Sequence, residues 1–173
     1  GKKVFADLKL FDIPATVAAA VRQLSRHKID FCTVHGNDSM LKAAAEAKGD
    51  MQILAVTALT SLDQGDLDDL GFQCDARTLV LSRARRALAR GCDGVVSSGL
   101  EVHALREHAH PRLITVCPGI RPIQNDDDQQ RVMTPFQAIR DGADYLVVGR
   151  PIRTAADPAA AAEAIQEDIA RAL

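Results

Sequence analysis

No charge of one sign dominates this sequence: 21 Lys and Arg residues stand against 23 Asp and Glu, a formal net charge of -2. A nucleic-acid or polyanion binder carries a basic excess on one face, so that class is excluded. No apolar run comes near the roughly 20 residues that a membrane-spanning helix requires. The opening Gly1-Lys2-Lys3-Val4-Phe5-Ala6-Asp7 lacks an apolar segment followed by a small-residue cleavage site, which argues against secretion. Cysteines are few and scattered: Cys32, Cys74, Cys92 and Cys117 form no C-x-x-C pair and have no histidine at ligand spacing. Neither a zinc site nor a redox motif is expected, and the four read as reduced core thiols of a cytoplasmic protein. What is present is ordinary for a globular domain, with 47% hydrophobic and 25% charged residues. A single domain over 173 residues buries about two thirds of its unfolded surface without help from disulfides or metal.

Six short apolar runs recur along the chain: Val4 to Leu10, Phe31 to His35, Ile53 to Leu59, Gly94 to Ser97, Leu113 to Cys117 and Tyr145 to Val148. Most are nearly continuous in apolar residues, the pattern of parallel strands covered on both faces. The segments between them carry helix signals. Thr134-Pro135-Phe136-Gln137 is a capping box with Pro at the first helical position, and Gly142 is the stop. Ser61 with Gln64 and Ser98 with Glu101 repeat the pattern, Asp75 caps an Arg-rich segment ending at Gly91, and Asp157-Pro158 opens a last helix. Alternating β and α units leave a doubly wound open sheet or a (β/α)8 TIM barrel. No GxGxxG follows Leu10, which favours the barrel. A complete barrel needs at least about 200 residues. The expectation is therefore an incomplete barrel of about six β/α units, strands three to eight of the full pattern, spanning residues 1–173 as a single domain.

Charges inside a strand mark the first candidate site. In Val4 to Leu10, Phe5, Asp7 and Lys9 share one face and Ala6, Leu8 and Leu10 the other. An ion pair buried in such a strand costs several kcal/mol on an order-of-magnitude scale, so a functional reading competes well with a salt bridge that only seals the barrel mouth. Asp12 adds a third charge just past the strand, at the face where barrel enzymes work. Between two carboxylates Lys9 reads as a cation that donates a proton, not as a Schiff-base nucleophile. A second candidate lies near the other end: Cys117-Pro118-Gly119-Ile120-Arg121-Pro122 and Val148-Gly149-Arg150-Pro151-Ile152 each follow a strand with Gly beside Arg. In a barrel counted this way those are strands seven and eight, whose loops frequently bind phosphate.

Other features take blander readings. Asp126-Asp127-Asp128 reads as a solvated run in the long polar stretch Gln124 to Arg131, without a calcium-loop pattern. His35 ends a strand at the mouth and reads as a structural hydrogen-bonding residue. His103, His108 and His110 read as exposed. Arg83, Arg85, Arg86 and Arg90 form a basic helix face paired with solvent and neighbours. Thr57, Thr60 and Ser61 end a strand where a hydroxyl could bond a polar ring.

Asp7-Leu8-Lys9-Leu10-Phe11-Asp12-Ile13-Pro14-Ala15-Thr16 resembles the signature of the orotidine 5'-phosphate decarboxylase family. Ala55 to Ser61, Pro118 to Pro122, Asp128 to Arg131 and Val148 to Pro151 resemble its later motifs in the right order. Phe11 and Ala15 stand where His and Asn are frequent. The resemblance implies a homodimeric (β/α) barrel that converts orotidine 5'-monophosphate to UMP and carbon dioxide in pyrimidine biosynthesis, without metal or organic cofactor. It implies Lys9 as proton donor to C6, Asp7 beside the departing carboxylate, and Asp12 serving the partner subunit's active site. Substrate binding would fall to Ile13, Thr16, Thr60, Arg121, Gln129, Gly149 and Arg150, with Thr60 on the base, Gln129 on a closing loop and Arg150 with the Gly149 backbone on the phosphate. The family also uses an Asp and a Lys at the ends of two strands ahead of these six. A sugar-phosphate decarboxylase or aldolase of the same suprafamily, or an inactive phosphate-binding remnant, are the alternatives.

Overall fold

The protein is described from a computed structural model, in which residues 1–122 and 132–173 are placed. Six strands, β1 (Phe5–Leu10), β2 (Phe31–His35), β3 (Gln52–Val56), β4 (Gly94–Val96), β5 (Ile114–Cys117) and β6 (Tyr145–Leu146), form one sheet. All five neighbouring pairs are parallel, and their spatial order is β1-β2-β3-β4-β5-β6. That order separates the two architectures left open by the sequence. A doubly wound sheet reverses direction near its middle, whereas here every crossover steps the same way, which is barrel progression.

Alternation along the strands divides their apolar residues between two faces of the sheet. Cys32, Val34, Ile53, Ala55 and Val95 pack with Val17 and Val21 of α1 (Pro14–Leu24), Leu41 and Ala44 of α2 (Asp38–Ala47), and Val80 and Ala84 of α4 (Ala76–Ala89). Their strand neighbours Phe31, Leu54, Val56, Val96 and Val116 instead pack on one another, as side chains do on the inner face of a curling sheet. Each fully buried Leu or Ile contributes about 1.5–3 kcal/mol, so Leu41, Ile53 and Leu54, all 0% exposed, are among the main contributors. Gly94 is required by close approach: a Cβ there would lie 2.3 Å from the Ile114 carbonyl oxygen. Burial on both faces holds for β2 to β5 but not for the edges. Leu8 of β1 is 56% exposed and Tyr145 of β6 is 39% exposed, because no strand covers their outer sides among the described residues.

At the N-terminal ends of the strands one device occurs three times. Asp30, Asp93 and Asp144 each stand one residue before β2, β4 and β6. Asp30 accepts the N–H of Val4 at 2.7 Å, Asp93 that of Ile53 at 2.8 Å and Asp144 that of Thr115 at 2.7 Å, each at the start of the preceding strand. The carboxylates thus clip the strands together in pairs. Lys48 pairs with Asp93 at 2.7 Å and Arg106 with Asp144 at 2.7 Å.

Most helix signals behave as the sequence suggests. Asp75 accepts from Thr78 N–H at the start of α4, Thr134 from Gln137 N–H at the start of α6 (Pro135–Arg140), and Asp157 from Ala159 and Ala160 at the start of α8 (Pro158–Ala172). Gly142 follows α6 with φ of 101°, a conformation that suits glycine. One cap moves: α3 (Gln64–Asp69) starts from Asp63, not Ser61. Asp63 and Asp66 form the reciprocal capping box, at 2.9 and 3.0 Å, and a carboxylate at that position leaves Ser61 to the preceding loop. Ser98 caps only the short 3-10 turn Gly99–Glu101. The Ile53 run leaves the sheet at Val56 instead of continuing to Leu59.

Candidate active site

β1 ends in a bulge. Ala6 pairs with Cys32 but Leu10 with Val34, so four residues of β1 advance against two of β2. Within the irregularity Lys9 takes φ of 48°, a left-handed conformation uncommon for a residue other than glycine. Its Nζ donates to Asp7 Oδ2 at 2.7 Å, with the two side chains 39% and 38% exposed. The pair therefore lies open to a cleft, and the desolvation cost expected of a fully covered strand does not apply. Phe5, Asp7 and Lys9 all line that cleft, as the shared strand face implies, together with Thr60, Ser61 and Pro118; its volume is about 260 Å³.

The three-charge constellation resolves into a pair and a separate carboxylate. Asp12 accepts the N–H of Ile13 at 2.6 Å in the bend after β1 and takes no part in the Asp7–Lys9 bond. Asp12, Ile13 and Thr16 are exposed and do not line the cleft. Ile13 is 65% and neighbouring Phe11 63% exposed. Thr60 stands in the cleft wall where expected, whereas Thr57 is buried and donates to the Val96 carbonyl at 2.9 Å.

The Gly-Arg segments after β5 and β6 come together in a second cleft of about 270 Å³, lined by Gly119, Arg121, Gly149, Arg150 and Arg153. Pro118 and Val147 line both clefts, so the two adjoin. Arg121 is 5% exposed, and one of its guanidinium N–H groups donates to the Ile120 carbonyl at 2.9 Å. Among the described residues, and apart from its chain neighbours, no atom lies within 4 Å of where a Cβ on Gly149 would sit, which leaves its backbone accessible on that side. Three guanidinium groups around one hollow suit a phosphate dianion. Gln129 and the run Asp126-Asp127-Asp128 lie outside the described residues.

His35, at the end of β2, lines a neighbouring hollow with Phe11, Leu59 and Arg83 and not the cleft of Asp7 and Lys9. Its ring lies 5.0 Å from that of Phe11. Burial first, then the Arg83 and Lys9 charges, hold its imidazole below the ordinary value, which favours the neutral form. Arg83 donates to the Thr57 carbonyl, Arg85 to the His108 carbonyl, and Arg86 and Arg90 pair with Asp38 at 2.8 and 2.9 Å, so the basic helix face is paired with neighbours. Burial pushes the Cys32 thiol up to about 11 and Cys92 and Cys117 up to about 12, which leaves them inert; Cys74 is only half-buried.

Two contributors escaped the sequence reading. Thr33 of β2 is fully buried, accepts the Lys9 N–H at 2.8 Å and donates to Asp7 Oδ1 at 2.9 Å; its signal is a lone hydroxyl inside an apolar strand. Arg153 was signalled only by its spacing of three from Arg150 in a short helix, α7 (Arg150–Arg153).

Parallel strands in chain order, with charged and polar groups gathered beyond their C-terminal ends, define the β/α-barrel class of enzyme folds. Comparison with known proteins narrows the class. Residues 1–165 match the model of the orotidine 5'-phosphate decarboxylase / HUMPS family, and the chain belongs to that family. Orotidine 5'-phosphate decarboxylase of Methylococcus capsulatus is 66% identical over 170 residues, covering 97% of this chain and 70% of that protein. The enzyme of that name from Nitrobacter winogradskyi is 53% identical over 176 residues, covering 100% and 73%. The crystal structure of orotidine 5'-phosphate decarboxylase from Lactobacillus acidophilus superposes with a TM-score of 0.85 at 37% identity, covering 98% of this chain and 76% of that one.

Proposed function

We propose that this chain carries orotidylate decarboxylase chemistry, in which orotidine 5'-monophosphate loses carbon dioxide and leaves as UMP. The observation that carries the reading is the Asp7–Lys9 pair, 2.7 Å apart, facing a cleft that adjoins the arginine-lined hollow. The phosphate is held by Arg150, Arg153 and the Gly149 backbone, with Arg121 behind them. The pyrimidine extends toward Thr60 and Lys9. As the bond from C6 to the carboxylate breaks, its electron pair stays on C6 and takes the proton that Lys9 donates; carbon dioxide departs and Lys9 regains a proton from water. A cation already in place beside C6 favours the negative charge as it moves from the carboxylate onto that carbon, and phosphate contacts far from C6 hold the ring in register for the transfer. Asp7 sets the Lys9 ammonium by its hydrogen bond and faces the departing carboxylate.

Asp12, Ile13 and Thr16 fit a different part of the same scheme. Exposed beyond the cleft together with Phe11, they meet the active site of a second copy in a homodimer. The reaction needs no metal or organic cofactor in this scheme and proceeds in the cytoplasm.

The test is the loss of pyrimidine absorbance on decarboxylation of orotidine 5'-monophosphate, by this chain and by a version extended to the full length of the Methylococcus relative. Turnover that persists in a chelator is expected, and Lys9→Ala should lower it about 1,000-fold, within the range of general-acid contributions, while UMP binding persists. Turnover of a sugar phosphate that requires added magnesium, without orotidylate turnover, would assign the chain to the other branch of the suprafamily. UMP binding without turnover in either length would make it a phosphate-binding remnant.

A further inference from the structure

We infer that Thr33 is the positioning residue of the Asp7–Lys9 pair, an inference that rests on the proposed role of Lys9 for its catalytic part. Its hydroxyl bonds both partners. It accepts the backbone N–H of Lys9 at 2.8 Å and donates its own proton to Asp7 Oδ1 at 2.9 Å, while Lys9 Nζ donates to the other oxygen, Asp7 Oδ2, at 2.7 Å. The four groups form a closed ring. Each arm has a distinct consequence. The bond to the Lys9 N–H supports a left-handed residue, φ 48°, at the bulge where the register of β1 slips against β2; a strained conformation persists only where its surroundings hold it. The bond to Asp7 fixes the rotation of the carboxylate, so that one oxygen is committed and the other aims at the ammonium.

Thr33 is 0% exposed and fixed in the middle of β2, so it transmits the rigidity of the sheet to a half-exposed edge strand. A hydroxyl has one proton to donate and lone pairs to accept, and this one uses both functions on the pair. Other buried threonines serve the fold: Thr57 donates to the Val96 carbonyl, and Thr115 bonds Asp144 at the far end of the strands.

The experiment compares Thr33→Val, Thr33→Ala and Thr33→Ser. Val and Ala delete the hydroxyl and leave the Lys9 N–H without its acceptor; Ser keeps the hydroxyl. Loss of charge-assisted positioning predicts a kcat about 10- to 100-fold lower in the Val variant, KM for orotidine 5'-monophosphate and UMP affinity within about threefold of the parent, faster amide hydrogen exchange at Lys9, and recovery of kcat by Ser to within about threefold. Should Val disturb folding, as read by its melting curve, Ala supplies the same comparison. Unchanged kcat in a folded hydroxyl-less variant, or a Ser variant as impaired as Val, would overturn the positioning role. The parent chain separates the two readings: absent turnover at both lengths removes the catalytic reading, and Lys9 amide exchange in parent and Val variant then decides the clamp on its own.

Discussion

The two ends of this sheet use the same carboxylate chemistry to opposite effect. At the N-terminal ends, Asp30, Asp93 and Asp144 clip the first residues of neighbouring strands, and Lys48 and Arg106 complete two of the clips. At the C-terminal ends, Asp7 and Lys9 bond each other but remain more than a third exposed beside a cleft. Lys48, at 23%, and Asp93, at 25%, are more covered than Asp7 and Lys9. The difference teaches that charge at a strand end is not itself a functional mark. What distinguishes the C-terminal end is unsealed geometry: a bulge in β1 and a hollow with no side chain at Gly149.

The contrast can be broken from either end. Lys9→Ala should produce the largest effect, about 1,000-fold in turnover, with little change in melting temperature, since the side chain is partly exposed. Gly94→Ala comes next and reports only on stability: a Cβ driven into the Ile114 backbone should cost about 3 kcal/mol by denaturant titration. Asp93→Ala belongs to the same end, stranding the Lys48 ammonium and the Ile53 N–H. About 2 kcal/mol of stability should be lost, with the KM of the remaining folded protein unchanged. Arg150→Ala, at the working end, should weaken UMP binding about 10-fold and leave melting nearly unaltered, and Arg153→Ala should do less, measured by calorimetric titration.

The smallest effect concerns His35. Because burial and the Arg83 and Lys9 charges lower its value in the folded state, the unfolded chain takes up that proton first as pH falls. Stability from this site is complete above the ordinary value of 6.5 and declines as pH drops through it toward the lowered folded value. His35→Gln should flatten the dependence of melting temperature between pH 7.5 and 5, by an amount on the order of 1–2 °C. An unchanged slope would show that His35 does not carry it.

How much of the site could be read in advance depended on how local its signals were. Asp7, Lys9 and Thr60 were legible because strand periodicity and chain order place them on the cleft face. Arg121, Gly149 and Arg150 were legible because loops after neighbouring strands converge at one end of a barrel. Asp12 was misplaced in the charge cluster because a spacing in sequence does not reveal a bend: the turn after β1 aims its carboxylate at the Ile13 N–H. Thr33 stayed hidden because its partners lie 24 and 26 positions away, and nothing local distinguishes it from Thr57 or Thr115.

By itself the sequence determined the alternation of strand and helix, the caps at Asp75, Thr134 and Asp157, the apolar strand runs that supply both faces of the sheet, and the family resemblance of the Asp7 to Thr16 segment. These depend on periodicity, backbone donors and neighbouring residues, all of which are local. Only the tertiary structure decided the one-way strand order, the slip of β1 against β2, the exposure of its edge, the strand clips and the ring through Thr33. Those depend on which distant backbone groups remain unsatisfied when the strands come together, and each such group takes whatever polar partner the packed sheet brings within reach.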